Sequence, residues 1–228
     1  MKSYQISSQT KRYMFISVVV FSIFVVTFAE LVDELLEKEI HHFDQIIIQW
    51  IHSFRPNLTP AMKFFTFFGS IDALSLFLFI SSVLMIWKRK HWEAVFLIVG
   101  IGAGGIFNLL LKWIFQRQRP TFHRLIEETG FSFPSGHSMG SFIFYGMLCM
   151  VVIVFLESKP VKVSIILITI FLIFMIGFSR IYLGVHFPSD VLAGYAAGGA
   201  WLTICLMGLR IILETRGKNR SYHFYWKK

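Results

Sequence analysis

Six apolar runs divide the chain: Tyr13–Ala29, Ile71–Trp87, Trp92–Phe115, Ser138–Leu156, Val161–Phe178 and Val191–Leu213, each of 17 to 24 residues. A helix needs about 20 such residues to cross a bilayer, and helices satisfy their own backbone groups there. The pattern predicts an all-α chain: a six-transmembrane-helix bundle with an amphipathic helical extracellular loop, forming a single integral membrane domain over residues 1–228. The loop is the stretch 30–70, where Leu31, Leu35, Leu36, Ile40, Phe43, Ile47, Trp50, Ile51 and Phe54 recur at helical spacing among Glu30, Asp33, Glu34, Glu37, Lys38, Glu39 and Asp44. Arg55-Pro56-Asn57 breaks that pattern, and Thr59-Pro60 signals a new helix with Thr59 as its N-cap. Such a segment fits an interfacial lid, or a gate that admits a lipid sideways. Gly100/Gly104 and Gly194/Gly198 have the small-x-x-x-small spacing that lets helix backbones approach closely.

Composition agrees with a membrane location. Hydrophobic residues make up 55% of the chain and charged residues 15%, against about 25% charged in soluble domains. The formal charge of +9 raises the question of nucleic acid, but its distribution argues for a bilayer partner and no nucleic acid. With the N-terminus inside, 13 of the 22 basic residues fall in inside segments and 8 outside, with Arg210 in the last span. The bias puts both termini in the cytoplasm of a multi-pass plasma-membrane protein. The tail from Tyr222 to Lys228 then lies at the inner headgroup layer. Lys11-Arg12 ahead of the first run, with Thr27 and Ala29 behind it, also fits a cleaved signal peptide, whose loss would leave five spans. Cys149 and Cys205 lie inside spans and read as small packing residues.

Three polar segments stand at the edges of the apolar runs, all on the outer side, where charge is costly and usually serves a purpose. The first contains Lys112 and Arg119-Pro120. Those cations are seven residues apart, so a continuing helix would put both on one face, with Pro120 ending it. Lys offers a point charge and Arg a planar fork for phosphate oxygens. The second, Pro134-Ser135-Gly136-His137, opens a span. Gly136 lets backbone approach an anion, the free amides of a helix start point at it, and Ser135 can add its hydroxyl. The third is Ser179-Arg180, then His186, then Asp190. At i, i+4 the carboxylate can fix the imidazole tautomer, leaving the other nitrogen free to attack phosphorus. Pro188 between them suits the first turn of the last span. Singly, each segment also fits a structural role: snorkelling anchors, a Ser N-cap, a surface His with a capping Asp. His41, His42, His52, His91, His123 and His223 form no metal-ligand set.

Lys-x6-Arg-Pro, Pro-Ser-Gly-His and Ser-Arg-x5-His-x3-Asp together resemble the signature of the type 2 phosphatidic acid phosphatase superfamily, with every signature position matched between Lys112 and Asp190. The loop residues Phe43-Asp44 and Arg55 to Thr59 are similar as well. The resemblance implies a metal-independent lipid phosphatase with no cofactor. His186 would form a phosphohistidine, Asp190 would hold its orientation, and His137 would protonate the leaving oxygen and then activate water. Lys112, Arg119, Ser135, Gly136 and Arg180 would bind the phosphate. The substrate would be a membrane lipid phosphate of the outer leaflet: undecaprenyl pyrophosphate, or a monoester such as phosphatidylglycerol phosphate or phosphatidate. Vanadate haloperoxidases share the anion pocket but are soluble. A non-catalytic anionic-lipid-binding protein or transporter is the alternative outside enzymology. Nothing in the pattern selects an oligomeric state.

Overall fold

The structure, a computed structural model, describes residues 7–121 and 124–217. His123, His223 and the tail from Tyr222 lie outside the described residues. Eight helices follow in order among those described: α1 (Ser8–Glu37), α2 (Ile40–His52), α3 (Thr59–Phe68), α4 (Ile71–Trp87), α5 (His91–Phe115), α6 (Gly136–Phe155), α7 (Lys159–Tyr182) and α8 (Pro188–Gly217). Five of them (α1, α5, α6, α7 and α8) are long and apolar enough to cross a membrane. Taken together, α3 and α4 meet the same requirement as one candidate span, bent by 47° at Gly69-Ser70, which brings the candidate crossings among the described residues to between five and six. Ser70 starts α4 by accepting the Ala73 amide on its hydroxyl (3.2 Å). The four apolar runs from Trp92 onward reappear as helices that each start before the run; α7 and α8 also end beyond it, α5 ends with it at Phe115, and α6 stops at Phe155, one residue short of Leu156. Those extensions carry Arg180 and Asp190 into helix ends.

Two boundaries differ from the pattern. Helix α1 continues eight residues past Ala29 to Glu37 and ends at Lys38, in the left-handed region with φ 65°. Leu31, Leu35 and Leu36 therefore belong to the extended first helix, since nothing between Ala29 and Glu37 breaks it. In α3, Leu58 stands at the N-cap and Thr59 is already helical. The Thr59 hydroxyl is instead 3.0 Å from the Tyr182 hydroxyl.

Helix α2 turns Ile40, Asp44, Ile48 and Ile51 inward, while Phe43, Ile46 and Trp50 face out. The row is one helical face, at steps of four, four and three. Asp44 thus sits on the buried side, not among the polar positions where sequence spacing put it. The outward aromatics suit an interface between water and lipid.

The main core lies between α4, α5, α6 and α8, around Leu97, Phe144, Met147, Leu202 and Leu209, with Cys205 packed in it. Gly194 and Gly198 bring α8 onto α6: a Cβ on Gly194 would lie 2.7 Å from the Ser135 carbonyl, and one on Gly198 3.0 Å from the Met139 carbonyl. Gly104 approaches Ile143 as closely. At the far end, Glu214 accepts the Ser7 amide (2.8 Å) and Arg210 donates to Thr10 (3.1 Å), which locks the start of α1 to the end of α8.

Candidate active site

The ends of α5 and α7, the starts of α6 and α8 and the loop residues 116–121 and 124–135 meet at one end of the bundle, opposite Lys88, Arg89 and Lys90. The five-residue link between α7 and α8 carries His186, which is 2% exposed. Its Nδ1 is 3.3 Å from Asp190 Oδ2, and its Nε2 is 3.0 Å from Arg119 Nη1. A guanidinium only donates, so Nε2 accepts and Nδ1 carries the proton toward Asp190. The lone pair of Nε2 therefore faces the cationic side of the site. Burial pushes the imidazole down to about 4; Asp190 opposes the shift, and Arg180 and Arg119 reinforce it. A neutral ring at pH 7 keeps that lone pair available.

Asp190 is fully buried in the first turn of α8. Its Oδ2 accepts the Phe187 amide (2.8 Å) and the Ser132 hydroxyl, and its Oδ1 accepts Arg117 Nη1 (2.6 Å). Pro188 occupies the first turn of α8, where its missing N–H leaves nothing unsatisfied.

The cations reach the site from separate elements. Arg180, 1% exposed in the last turn of α7, donates to Thr66 (2.7 Å) and to Glu128, while its Nε has no partner among the described residues. Arg119 also binds the carbonyls of Val185 (3.0 Å), Gly130 (3.0 Å) and Thr129 (3.1 Å). Lys112 Nζ donates to the carbonyls of Phe131 (2.6 Å) and Ser132 (3.3 Å). The expectation that Lys112 and Arg119 share one helix face does not hold. Helix α5 ends at Phe115 because Gln116 turns left-handed at φ 45°, so Arg119 arrives from the loop.

Ser135 is the N-cap of α6; its hydroxyl accepts from the Ser138 amide (3.4 Å) and hydroxyl (3.0 Å). Its amide donates to the Asp190 carbonyl (2.9 Å), which ties the two helix starts together. The amides of Gly136 and His137 stand at the free end of α6. Asn108 braces this turn by donating to the Pro134 carbonyl (3.3 Å). His137 lies against the α3–α4 corner, where a Cβ on Gly69 would come within 3.1 Å of its ring.

Four residues that sequence spacing did not single out for a role complete the site. Ser132 touches both His186 Nδ1 (3.3 Å) and Asp190. Glu128 pairs with Arg180 and, at 3.8 Å, with Arg119. Burial alone would raise its carboxyl, but the two guanidiniums hold it below the usual range. Arg117 bridges Asp190 and Asp44. Burial pushes the Asp44 carboxyl up, against its bonds to Ser189 and Arg117. Two signals pointed to Asp44: its place among the loop residues similar to the superfamily, and its step of four from Ile40 and Ile48, a carboxylate on an apolar face. For Ser132 and Glu128 there was none, because a loop has no periodicity.

Residues 93–210, just over half of the chain, match the PAP2 superfamily. Phosphatidylglycerophosphatase B of Bacillus subtilis (strain 168) is 34% identical over 146 residues, covering 63% of this chain and 71% of that protein. An undecaprenyl-diphosphatase of Sulfolobus acidocaldarius is 24% identical over 144 residues, covering 60% and 63%. The crystal structure of a transmembrane PAP2-type phosphatidylglycerolphosphate phosphatase from Bacillus subtilis superposes with a TM-score of 0.72 at 28% identity, covering 86% of this chain and 96% of that one.

Proposed function

The chain belongs to the PAP2 superfamily and is a multi-pass membrane phosphatase of its lipid phosphatase branch; from that premise we propose a single-domain enzyme that removes phosphate from a lipid of the outer leaflet through a phosphohistidine. The observation that carries this reading is the orientation of His186, with Nδ1 on Asp190 and Nε2 toward Arg119.

Nε2 attacks phosphorus in line with the lipid oxygen, and the P–O bond to the lipid breaks as the N–P bond forms. His137, protonated as the phosphate anion binds beside it and offsets the nearby cations, gives that proton to the departing lipid oxygen. It then takes a proton from water as that water attacks phosphorus, so the N–P bond breaks and inorganic phosphate leaves. Arg119, Arg180, Lys112 and the Gly136 amide stabilise the charge on the phosphoryl oxygens. The Ser135 hydroxyl accepts two bonds in capping α6, so its own hydrogen is the group that faces the anion.

Phosphatidylglycerol phosphate is the leading substrate, supported by the likeness in sequence and in solved structure to phosphatidylglycerol phosphate phosphatase of Bacillus subtilis. Undecaprenyl pyrophosphate is the second reading, supported by the Sulfolobus relative. An apolar cleft of about 300 Å³, lined by Phe68, Phe77, Phe144, Tyr145 and Leu172 among others, suits the lipid tail. Phe144 and Tyr145 lie about 10–12 Å along α6 from His137, a depth that matches a headgroup at the helix end. The basic-residue bias supports cytoplasmic termini and an outward site.

The test is phosphate release in detergent from phosphatidylglycerol phosphate, phosphatidate, undecaprenyl pyrophosphate and a soluble aryl phosphate, with excess chelator and with His186→Ala as blank. Activity that survives chelator and vanishes in the variant is expected. Strict dependence on a divalent ion would refute the metal-free route, and release by His186→Ala would refute the phosphohistidine.

A further inference from the structure

Helix α2 is joined to the His186–Asp190 pair by an unbroken chain of buried polar contacts. Asp44 Oδ1 accepts the Ser189 amide (2.9 Å), and its Oδ2 accepts the Ser189 hydroxyl (2.7 Å) and Arg117 Nη2 (2.7 Å). Arg117 Nη1 donates to Ser189 Oγ (2.7 Å) and to Asp190 Oδ1 (2.6 Å), while its guanidinium lies 4.2 Å over the Phe187 ring. The side chains of Asp44, Arg117 and Asp190 are 1%, 8% and 0% exposed. An interfacial helix that only covered the bundle would need no carboxylate on its inner face.

We propose that Asp44 and Arg117 are positioning residues: they clamp Asp190 Oδ1 so that Oδ2 is presented to His186 Nδ1, which makes α2 part of the catalytic apparatus. This rests on the reading of His186 as nucleophile. The side-chain carboxylate torsion of Asp is soft and roughly two-fold, so the hold on Oδ1 adds to the bonds that Phe187 and Ser132 make to Oδ2 in fixing the angle at which Oδ2 meets His186. Charge matters as much as position. Arg117 lies between two carboxylates, and Asp44 offsets the cation that Asp190 would otherwise face alone. In Asp44→Asn the amide nitrogen cannot accept from Arg117, so the guanidinium acts more fully on Asp190 and the imidazolium loses support. In Arg117→Gln a cation disappears beside the pair and the imidazolium gains support. The two partners of one ion pair therefore move His186 in opposite directions. The other charged or titratable groups around His186 are Arg119 and Glu128 from the loop, Arg180 from α7, His137 from α6, Lys112 from α5 and Asp190 itself.

The experiment uses the full chain in detergent, with 4-nitrophenyl phosphate as substrate and nitrogen-15 histidine NMR. The His186 signal is identified by its loss in His186→Ala. Asp44→Asn and Arg117→Gln should each lower kcat by about tenfold or more, with KM within about twofold of the parent. The His186 midpoint should fall in the first and rise in the second. Arg117→Lys, which keeps the charge and loses the fork, should leave the midpoint near the parent value while kcat stays low. Midpoints that move the same way, or a kcat within about twofold of the parent in both variants, would overturn the proposal. If the parent itself released no phosphate, the phosphatase reading would fail. The opposite midpoint shifts would still decide whether Asp44 and Arg117 set the charge at His186.

Discussion

Gly194→Ala probes the joint between the two halves of the site. The added Cβ would lie 2.7 Å from the Ser135 carbonyl oxygen and 2.9 Å from Ser138 Cβ. Restoring the ordinary 3.4 Å contact requires a separation of about 0.7 Å between the starts of α6 and α8. Both neighbours are rigid: one is backbone, and the other is the first carbon of a residue in a helical turn. The movement must therefore shift Ser135, Gly136 and His137 away from His186 and strain the 2.9 Å bond from the Ser135 amide to the Asp190 carbonyl. Overpacking of this kind costs about 1–3 kcal/mol, partly offset by roughly 1 kcal/mol from the better helix propensity of Ala. Stability should fall by no more than about 2 kcal/mol. Rate is more sensitive, since a displacement of about 1 Å at a reacting centre can cost roughly a hundredfold. The expected result is a loss of kcat of about ten- to a hundredfold on an aryl phosphate, with the protein still folded by thermal unfolding in detergent. Gly102→Ala and Gly105→Ala are the controls, because their Cβ atoms would meet nothing within 4 Å; both should keep full activity. A Gly194→Ala enzyme with kcat within about twofold of the parent would refute the idea that this contact sets the site's spacing.

Three further outcomes follow from the site. Glu128→Gln should lower KM for a phosphate monoester by about fivefold, or ~1 kcal/mol, because its carboxylate competes with the substrate for Arg180 and Arg119; a raised KM in steady-state kinetics would contradict this. His186 has a folded pKa of about 4 against 6.5 for the free side chain, so the unfolded chain takes up its proton first. Stability should drop as pH falls from 6.5 toward 4, and a plot of Tm against pH should flatten over that window in His186→Ala; an unchanged slope would count against the buried neutral ring. Cysteine placed at the exposed Glu127 should react with an impermeant thiol reagent on intact cells, with little background because Cys149 and Cys205 are buried; reaction with permeant reagents only would reverse the topology.

The helices were legible because lipid and core both demand long apolar runs, and such runs have only one stable backbone form. Ile71–Trp87 was read with the ends that α4 has. Local chemistry was equally readable: Pro188 announced a helix start, and the i, i+4 spacing announced the His186–Asp190 contact. Gly194 and Gly198 signalled close approach without saying to what. Sequence could not place Arg119, because the left-handed turn at Gln116 depends on how the loop packs, and the breaker that sequence offers, Pro120, comes four residues later. Nor could it reveal Ser132 or Glu128, which reach the site through loop geometry.

The sequence by itself determined the class of the molecule, its helical segments and the residues able to handle a phosphate, because hydropathy, helical period and side-chain chemistry are local properties. Only the tertiary structure decided which partner each charge meets. Asp44 and Asp190 are 146 residues apart in the chain, yet both lie on one guanidinium. No local rule joins them. A buried charge must find an opposite one wherever packing allows, and it is the assembled bundle that brings α2, the loop and α8 to the same point.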